Sequence, residues 1–169
     1  MKTVLILTMH GIPPKDFPRR EIGEYFSLHT QMENSPQRMD EAARQRYAEL
    51  NHKMRSFPRT PENDPFYFSS QDMARLLAAE TGYETLFCFN EFCNPTLAAA
   101  VASAVAGGAQ RVLVLTPMMT RGGEHAEKDI PDELETLRSS YPNIEIKYAW
   151  PFDPAEITHF LAGQVKRFI

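Results

Sequence analysis

Several common function classes are excluded by what this chain lacks. No Gly-x-x-x-x-Gly-Lys-Ser/Thr string occurs in its 169 residues, so a Walker-type phosphate loop is ruled out. No Gly-x-Gly-x-x-Gly follows the first predicted strand, and no Gly-x-Ser-x-Gly offers a nucleophile elbow. Cysteine is scarce: Cys88 and Cys93 are the two, too few for a disulfide framework and not spaced as Cys-x-x-Cys. Cys93 reads as a small buried residue rather than a nucleophile. No apolar run approaches the ~20 residues that cross a bilayer. The N-terminus carries no signal-peptide pattern, since a short strand pattern closes at His10 and Gly11. With a net charge of −4 there is no electrostatic footprint for nucleic acid. The expectation is a cytoplasmic protein with no nucleic-acid or membrane partner and no nucleotide cofactor.

What remains is a regular α/β pattern. Lys2–Met9 is Val/Leu/Ile-rich with little alternation, as suits a strand covered on both faces. Residues 12–68 hold most of the prolines and many charges. Within them, Arg19–Thr30 is read as a short helix and Asp40–Phe57 as a second, with Ala43, Tyr47, Leu50, Met54 and Phe57 as its stripe. Pro58–Phe68 is read as a loop whose Phe66-Tyr67-Phe68 triplet anchors against core or partner. From Ser69 the order is clear: a helix capped by Ser69 or Ser70 and ended by Gly82, and a strand over Thr85–Phe92. A helix over Thr96–Ala106 follows, with Asn94-Pro95 as cap and first-turn proline. Then come a strand over Arg111–Thr116, a helix over Asp132–Ser140, a strand over Ile144–Ala149 and a last helix opened by Asp153-Pro154-Ala155-Glu156. This predicts one domain, 1–169, with a doubly wound, mostly parallel four-stranded sheet, helices on both faces and a long insertion at about 12–68.

Two histidines occupy equivalent places. His10 ends the first strand beside Gly11, and His125 lies in the loop leaving the third, after Gly122-Gly123. The carboxyl edge of such a sheet is where ligands bind. A neutral imidazole suits Fe, Co, Ni or Zn and titrates near neutrality, so both are candidates for metal ligation or proton transfer. Glu91, at the end of the second strand, brings a carboxylate to the same edge. Glu124, Glu127 and Asp129 add negative charge around His125, although acids before a helix also serve as caps. His29, His52 and His159 fall on predicted helices and read as surface or satisfied residues, and Met118-Met119 as core packing.

Three strings carry a resemblance: Phe89-Asn90-Glu91-Phe92-Cys93-Asn94-Pro95-Thr96-Leu97, Gly107-Gly108-Ala109-Gln110-Arg111-Val112, and Pro117 through Gly122-Gly123-Glu124-His125 to Asp129-Ile130-Pro131. Together they resemble the small sirohydrochlorin chelatases (CbiX type), over the first strand and everything from Ser69 onward. The resemblance implies a chelatase-like (flavodoxin-like) fold, a homodimer with the site between subunits, and a tetrapyrrole substrate. It implies a divalent metal as co-substrate, cobalt first, with iron or nickel as alternatives. By position, His10 and His125 match the family's metal-site histidines and Glu91 its strand-end acid. The family's first motif, Gly-His-Gly-Ser-Arg, is here Met9-His10-Gly11-Ile12-Pro13, so a hydroxyl and a guanidinium are replaced. That segment also resembles the His-Ser-x-Pro of protoporphyrin ferrochelatases.

Three readings therefore compete. A chelatase turns over with both histidines as ligands. A metal or tetrapyrrole carrier on the same fold binds without turnover. An enzyme using His125 as a general base, with no metal, is indifferent to chelators. Fold alone does not choose between them.

Overall fold

The computed structural model describes all residues, Met1–Ile169. Four strands, β1 (Thr3–Met9), β2 (Glu84–Phe89), β3 (Arg111–Leu115) and β4 (Glu145–Tyr148), form a sheet of order β2-β1-β3-β4. Every pairing is parallel, so the expected mostly parallel sheet is wholly so. Central β1 is buried over its last six residues, which explains why its sequence shows no alternation.

Alternate residues face opposite layers. Val4 and Ile6 of β1, Val112 and Val114 of β3 and Ile146 of β4 join one core cluster. Leu97, Val101 and Ala104 of α4 (Leu97–Ala106) and Leu134 and Leu137 of α5 (Ile130–Ser140) complete that layer. Leu7 and Met9 face the other way, onto Phe89 and onto Ala74 of α3 (Pro65–Thr81). Helices thus cover both faces. Each fully buried Leu, Ile or Val of these layers contributes about 1.5–3 kcal/mol of transfer free energy.

The 12–68 segment is a helical hairpin, α1 (Arg19–Asn34) and α2 (Glu41–Arg55), joined through a short 3-10 turn at Pro36–Arg38. Tyr25, Leu50 and Met54 from the two helices enclose Phe17 and, from the loop after β2, Phe92. Both expected helices exist; α1 runs four residues past Thr30.

Four boundaries differ from expectation, each for a local reason. The Phe66-Tyr67-Phe68 triplet is not in a loop: Asp64 caps α3 by accepting from Tyr67 N, with Pro65 in the first helical position. Tyr67 then packs on Phe87 and Phe89. Asn94 does not cap α4; Thr96 does, accepting from Ala99 N, and Pro95 precedes the helix across a cis peptide. β2 stops at Phe89, so Glu91 lies in the following loop. Finally, His125 is not in a loop but opens a π-type turn, His125–Asp129, that runs directly into α5. The last helix, α6 (Pro154–Val165), is capped by Asp153 as expected, yet none of its residues is buried. No helix is long and apolar enough to cross a membrane.

Candidate metal centre

The order β2-β1-β3-β4 places the topological switch between β1 and β3, and the loops leaving β1, β2 and β3 meet there. His10 follows β1 directly. Beyond β2 the strand-like pairing continues for two residues, Asn90 N donating to Met9 O and Glu91 N to His10 O. This holds Glu91 beside His10 although the strand itself has ended. Gly11 makes the approach feasible: its φ is +94°, and a Cβ there would sit 2.0 Å from the Glu91 carbonyl oxygen. No side chain fits.

Each imidazole is oriented from its far side. His10 Nδ1 lies 2.7 Å from the Gly11 carbonyl oxygen, which can only accept, so Nδ1 carries a proton and Nε2 is left as the lone-pair nitrogen. His125 Nδ1 lies 2.7 Å from Asp129 Oδ2, a carboxylate–histidine contact that fixes the orientation of the ring. The turn that sets this up is anchored by Tyr148, whose hydroxyl donates to Ala126 O. Both Nε2 atoms converge on one carboxylate oxygen, Glu91 Oε2, at 3.8 Å each. The two rings stand edge to face, 4.7 Å between centroids. His10, Glu91 and His125 each offer a ligand atom within 4.8 Å of the other two, a spacing that one cation at bonding distance from each can span.

The hairpin completes the loop's support. Arg55, ending α2, donates to Asn90 O and Cys93 O, so it clamps the chain on both sides of Glu91. Arg59, with only 7% of its side chain exposed, pairs with fully buried Asp64 and also donates to Ile12 O and Phe92 O. Sequence reasoning found none of these positioning residues. Arg55 and Arg59 sit in the segment that lies outside the resemblance.

The remaining expectations resolve simply. His10, Glu91 and His125 are brought together. Burial pushes the Cys93 thiol up to about 11 and the Cys88 thiol up to about 12, so both stay protonated and unreactive near neutrality. His52 and His159 are exposed, and Met118 packs against the core. His29 is the satisfied one of the three: its ring meets Tyr47, Glu33 and Glu91.

A cavity of about 260 Å³ opens beside the cluster. Its wall includes the carboxylates of Glu33, Glu91, Asp129 and Glu133, with Arg55 as the single fixed cation. Burial raises the Glu133 carboxyl above its usual range, while Ala98 N, donating to it, opposes the shift. A cavity so lined attracts cations and repels anions.

A doubly wound parallel domain whose switch point gathers two oriented histidines and a carboxylate defines the class: an α/β protein with a candidate His₂–carboxylate cation site. Residues 68–166, more than half of the chain, match the family model CbiX, and the chain belongs to that family. A sirohydrochlorin ferrochelatase of Priestia megaterium is 32% identical over 65 residues, which are 38% of this chain and 24% of that protein. The fold also resembles the crystal structure of a cobalamin (vitamin B12) biosynthesis CbiX protein from Marinobacter aquaeolei VT8. The TM-score there is 0.52 at 16% identity, over 98% of both chains. The sirohydrochlorin chelatase SirB of Bacillus subtilis subspecies spizizenii, solved with cobalt, gives a TM-score of 0.45 at 18% identity, over 89% of this chain and 44% of that one. This chain thus spans less than half the length of SirB and a quarter of the ferrochelatase is matched.

Proposed function

We propose that the protein is a metal chelatase that inserts a divalent metal, cobalt or iron, into sirohydrochlorin or a related tetrapyrrole. The convergence of His10 Nε2 and His125 Nε2 on Glu91 Oε2 at the switch point carries this reading. His10 and His125 hold the incoming metal and Glu91 balances its charge. The donor set, imidazole nitrogen with one carboxylate, suits Fe, Co or Ni. Insertion exchanges two pyrrole N–H protons for one divalent cation. As each ring nitrogen takes over the metal, a protein ligand regains its lone pair next to the departing proton. The same three side chains therefore serve first as ligands and then as proton acceptors. No step requires a nucleotide.

Charge separates the two substrates. The acidic cavity repels a macrocycle bearing carboxylates, while His10, which is not part of that cavity's wall, leaves 44% of its side chain exposed. The metal enters through the cavity, and the ring docks across the His10 face. The hairpin shares Phe92 and the Arg55 clamp with the loop after β2, which supports reading 1–169 as one domain with the 12–68 insertion as a wall of the site. Free thiols and the biosynthetic family are consistent with a cytoplasmic enzyme.

Anaerobic absorbance spectroscopy tests the reading. Purified protein with sirohydrochlorin and Co²⁺ or Fe²⁺ is expected to give many turnovers of metallated ring per chain. Ring binding with metallation no faster than in protein-free solution would instead make the protein a tetrapyrrole carrier.

The protein also acts as a homodimer in this reading. Phe160, Leu161 and Val165 of α6 are each more than half exposed, on a helix none of whose residues is buried. Leu161 and Val165, at i and i+4, share one helix face and Phe160 borders it, an exposed apolar patch of the kind that marks an interface. Sedimentation should show a dimer for the unaltered chain and a monomer for Phe160→Glu with Leu161→Glu, with the circular dichroism of the fold retained. A monomer in both would remove the dimer.

A further inference from the structure

The helical hairpin brings a third histidine to Glu91. On α1, His29 Nε2 lies 3.2 Å from Glu33 Oε1 and 3.2 Å from Glu91 Oε1. The two oxygens of Glu91 thus face different partners: Oε2 faces His10 and His125, and Oε1 faces His29. His29, Glu33 and Glu91 offer ligand atoms within 4.8 Å of one another, the same criterion the His10 cluster meets. We propose that His29, Glu33 and Glu91 form a second divalent-metal site, joined to the first through the Glu91 carboxylate.

The arrangement around His29 is that of a ligand. Its Nδ1 is held at 3.0 Å by the Tyr47 hydroxyl, and its ring stacks on Tyr25, so Nε2 is aimed rather than free to turn. Two carboxylate oxygens and a nitrogen meeting at this distance need a positive centre between them. A proton on Nε2 is one such centre, and a divalent cation is the other. The surroundings favour the cation. His29, Glu33, Glu91 and His125 all line the acidic cavity, and Arg55, its only fixed cation, spends its N–H groups on Asn90 O and Cys93 O. Asn90 lines the same cavity, and its side-chain Nδ2 is buried without a hydrogen-bond partner. A water on a bound metal would supply the missing acceptor. Imidazole with two carboxylates again suits Fe, Co, Ni or Zn.

Resting on the chelatase reading, the second site gives the metal a waiting position. A cation held by His29, Glu33 and Glu91 Oε1 passes to His10 and His125 while Glu91 keeps hold of it through its other oxygen. Fully dehydrated transfer is thereby avoided.

Equilibrium dialysis of the full chain against Co²⁺, with the bound metal counted, tests the site without any tetrapyrrole. Two equivalents are expected for the unaltered protein. One is expected for His29→Ala and for Glu33→Gln, and one again, now at the α1 site, for His10→Ala with His125→Ala. His29→Lys would keep an ion pair with both acids while removing the ligand, and it should also bind one equivalent. Thermal unfolding of each variant confirms the fold. A single equivalent in the unaltered protein that is unchanged in His29→Ala, or two that persist in His29→Ala or His29→Lys, overturns the proposal. Two equivalents in a protein that metallates no ring would uphold the site and sink the chelatase reading. A single equivalent lost in His29→Ala but kept in the His10/His125 double variant would do the same. With active enzyme, His29→Ala is expected to raise KM for Co²⁺ about tenfold and to lower kcat by a smaller factor, since Glu91 loses a neighbour while His10 and His125 are untouched. An unchanged KM would remove the waiting role.

Discussion

His10→Ala and His125→Ala should each lower the rate of metal insertion by about 10²–10⁴-fold, the range for losing a group that moves a proton in the transition state. The geometry makes the two losses unequal in kind. His10 is fixed only by the neighbouring Gly11 carbonyl, so its removal takes away one ligand and leaves the rest of the cluster in place. His125 is fixed by Asp129, and its removal also leaves that carboxylate without its imidazole partner, free to swing toward Glu91 and the cavity. His125→Ala is therefore expected to bind Co²⁺ with some residual affinity but to insert it no faster than His10→Ala. Initial rates of metallated-ring absorbance, measured with saturating metal, separate the two effects. Both rings are partly exposed, so thermal unfolding should change little and a lost rate would not reflect a lost fold. Rates within tenfold of the unaltered protein in either variant would take that histidine out of the chemistry.

Why this pair could be found in the sequence, and its surroundings could not, is a matter of range. His10 and His125 are close in chain to the strand patterns that carry them, and a parallel sheet sends all its strand ends to one edge. Once β1 and β3 were recognised by their Val/Leu/Ile runs, convergence of the two histidines followed from topology alone. Glu91 was placed on that edge for a reason that is only half right. It lies beyond β2, and backbone bonds from Asn90 and Glu91 to β1, rather than strand geometry, keep it there. The π-type turn at His125 left no mark because its flanking glycines and acids read equally well as a loop. The cap of α3, Asp64, lies upstream of the expected Ser69 or Ser70, because three successive aromatics read as a loop anchor. His29 shows the true limit. Its spacing on α1 with Ile22, Tyr25 and Phe26 is that of any amphipathic helix. Its meeting with Glu91 depends on how a hairpin folds back over a loop about sixty residues away, and no local pattern encodes that.

The same long-range dependence makes Arg59 the residue on which the hairpin and the site most depend for stability. Arg59→Met is expected to destabilise the protein by about 3–5 kcal/mol, the cost of leaving one partner of a buried ion pair uncompensated. Asp64 is fully buried, 2.7 Å from the guanidinium, and would keep as partners only the Tyr67 amide and the Cys93 thiol. Arg59 also satisfies the carbonyls of Ile12, Met54 and Phe92, which lie in three separate segments. Adding Asp64→Asn should recover part of the loss, because the amide removes the buried charge while still able to cap α3 at Tyr67 N. Urea unfolding of the two variants reads the difference directly. Equal stability of Arg59→Met and the unaltered protein would mean that the pair's desolvation cost cancels its attraction. The consequence reaches the metal as well. Ile12 lies two residues after His10 and Phe92 one after Glu91, so the guanidinium ties together the two loops that present the proposed ligands. Arg59→Met, studied at a temperature where it is folded, should bind Co²⁺ about 10–100-fold more weakly, as expected when support behind metal ligands is removed. Full affinity in the folded variant would show instead that the Arg55 clamp alone holds Glu91 in register with the two histidines.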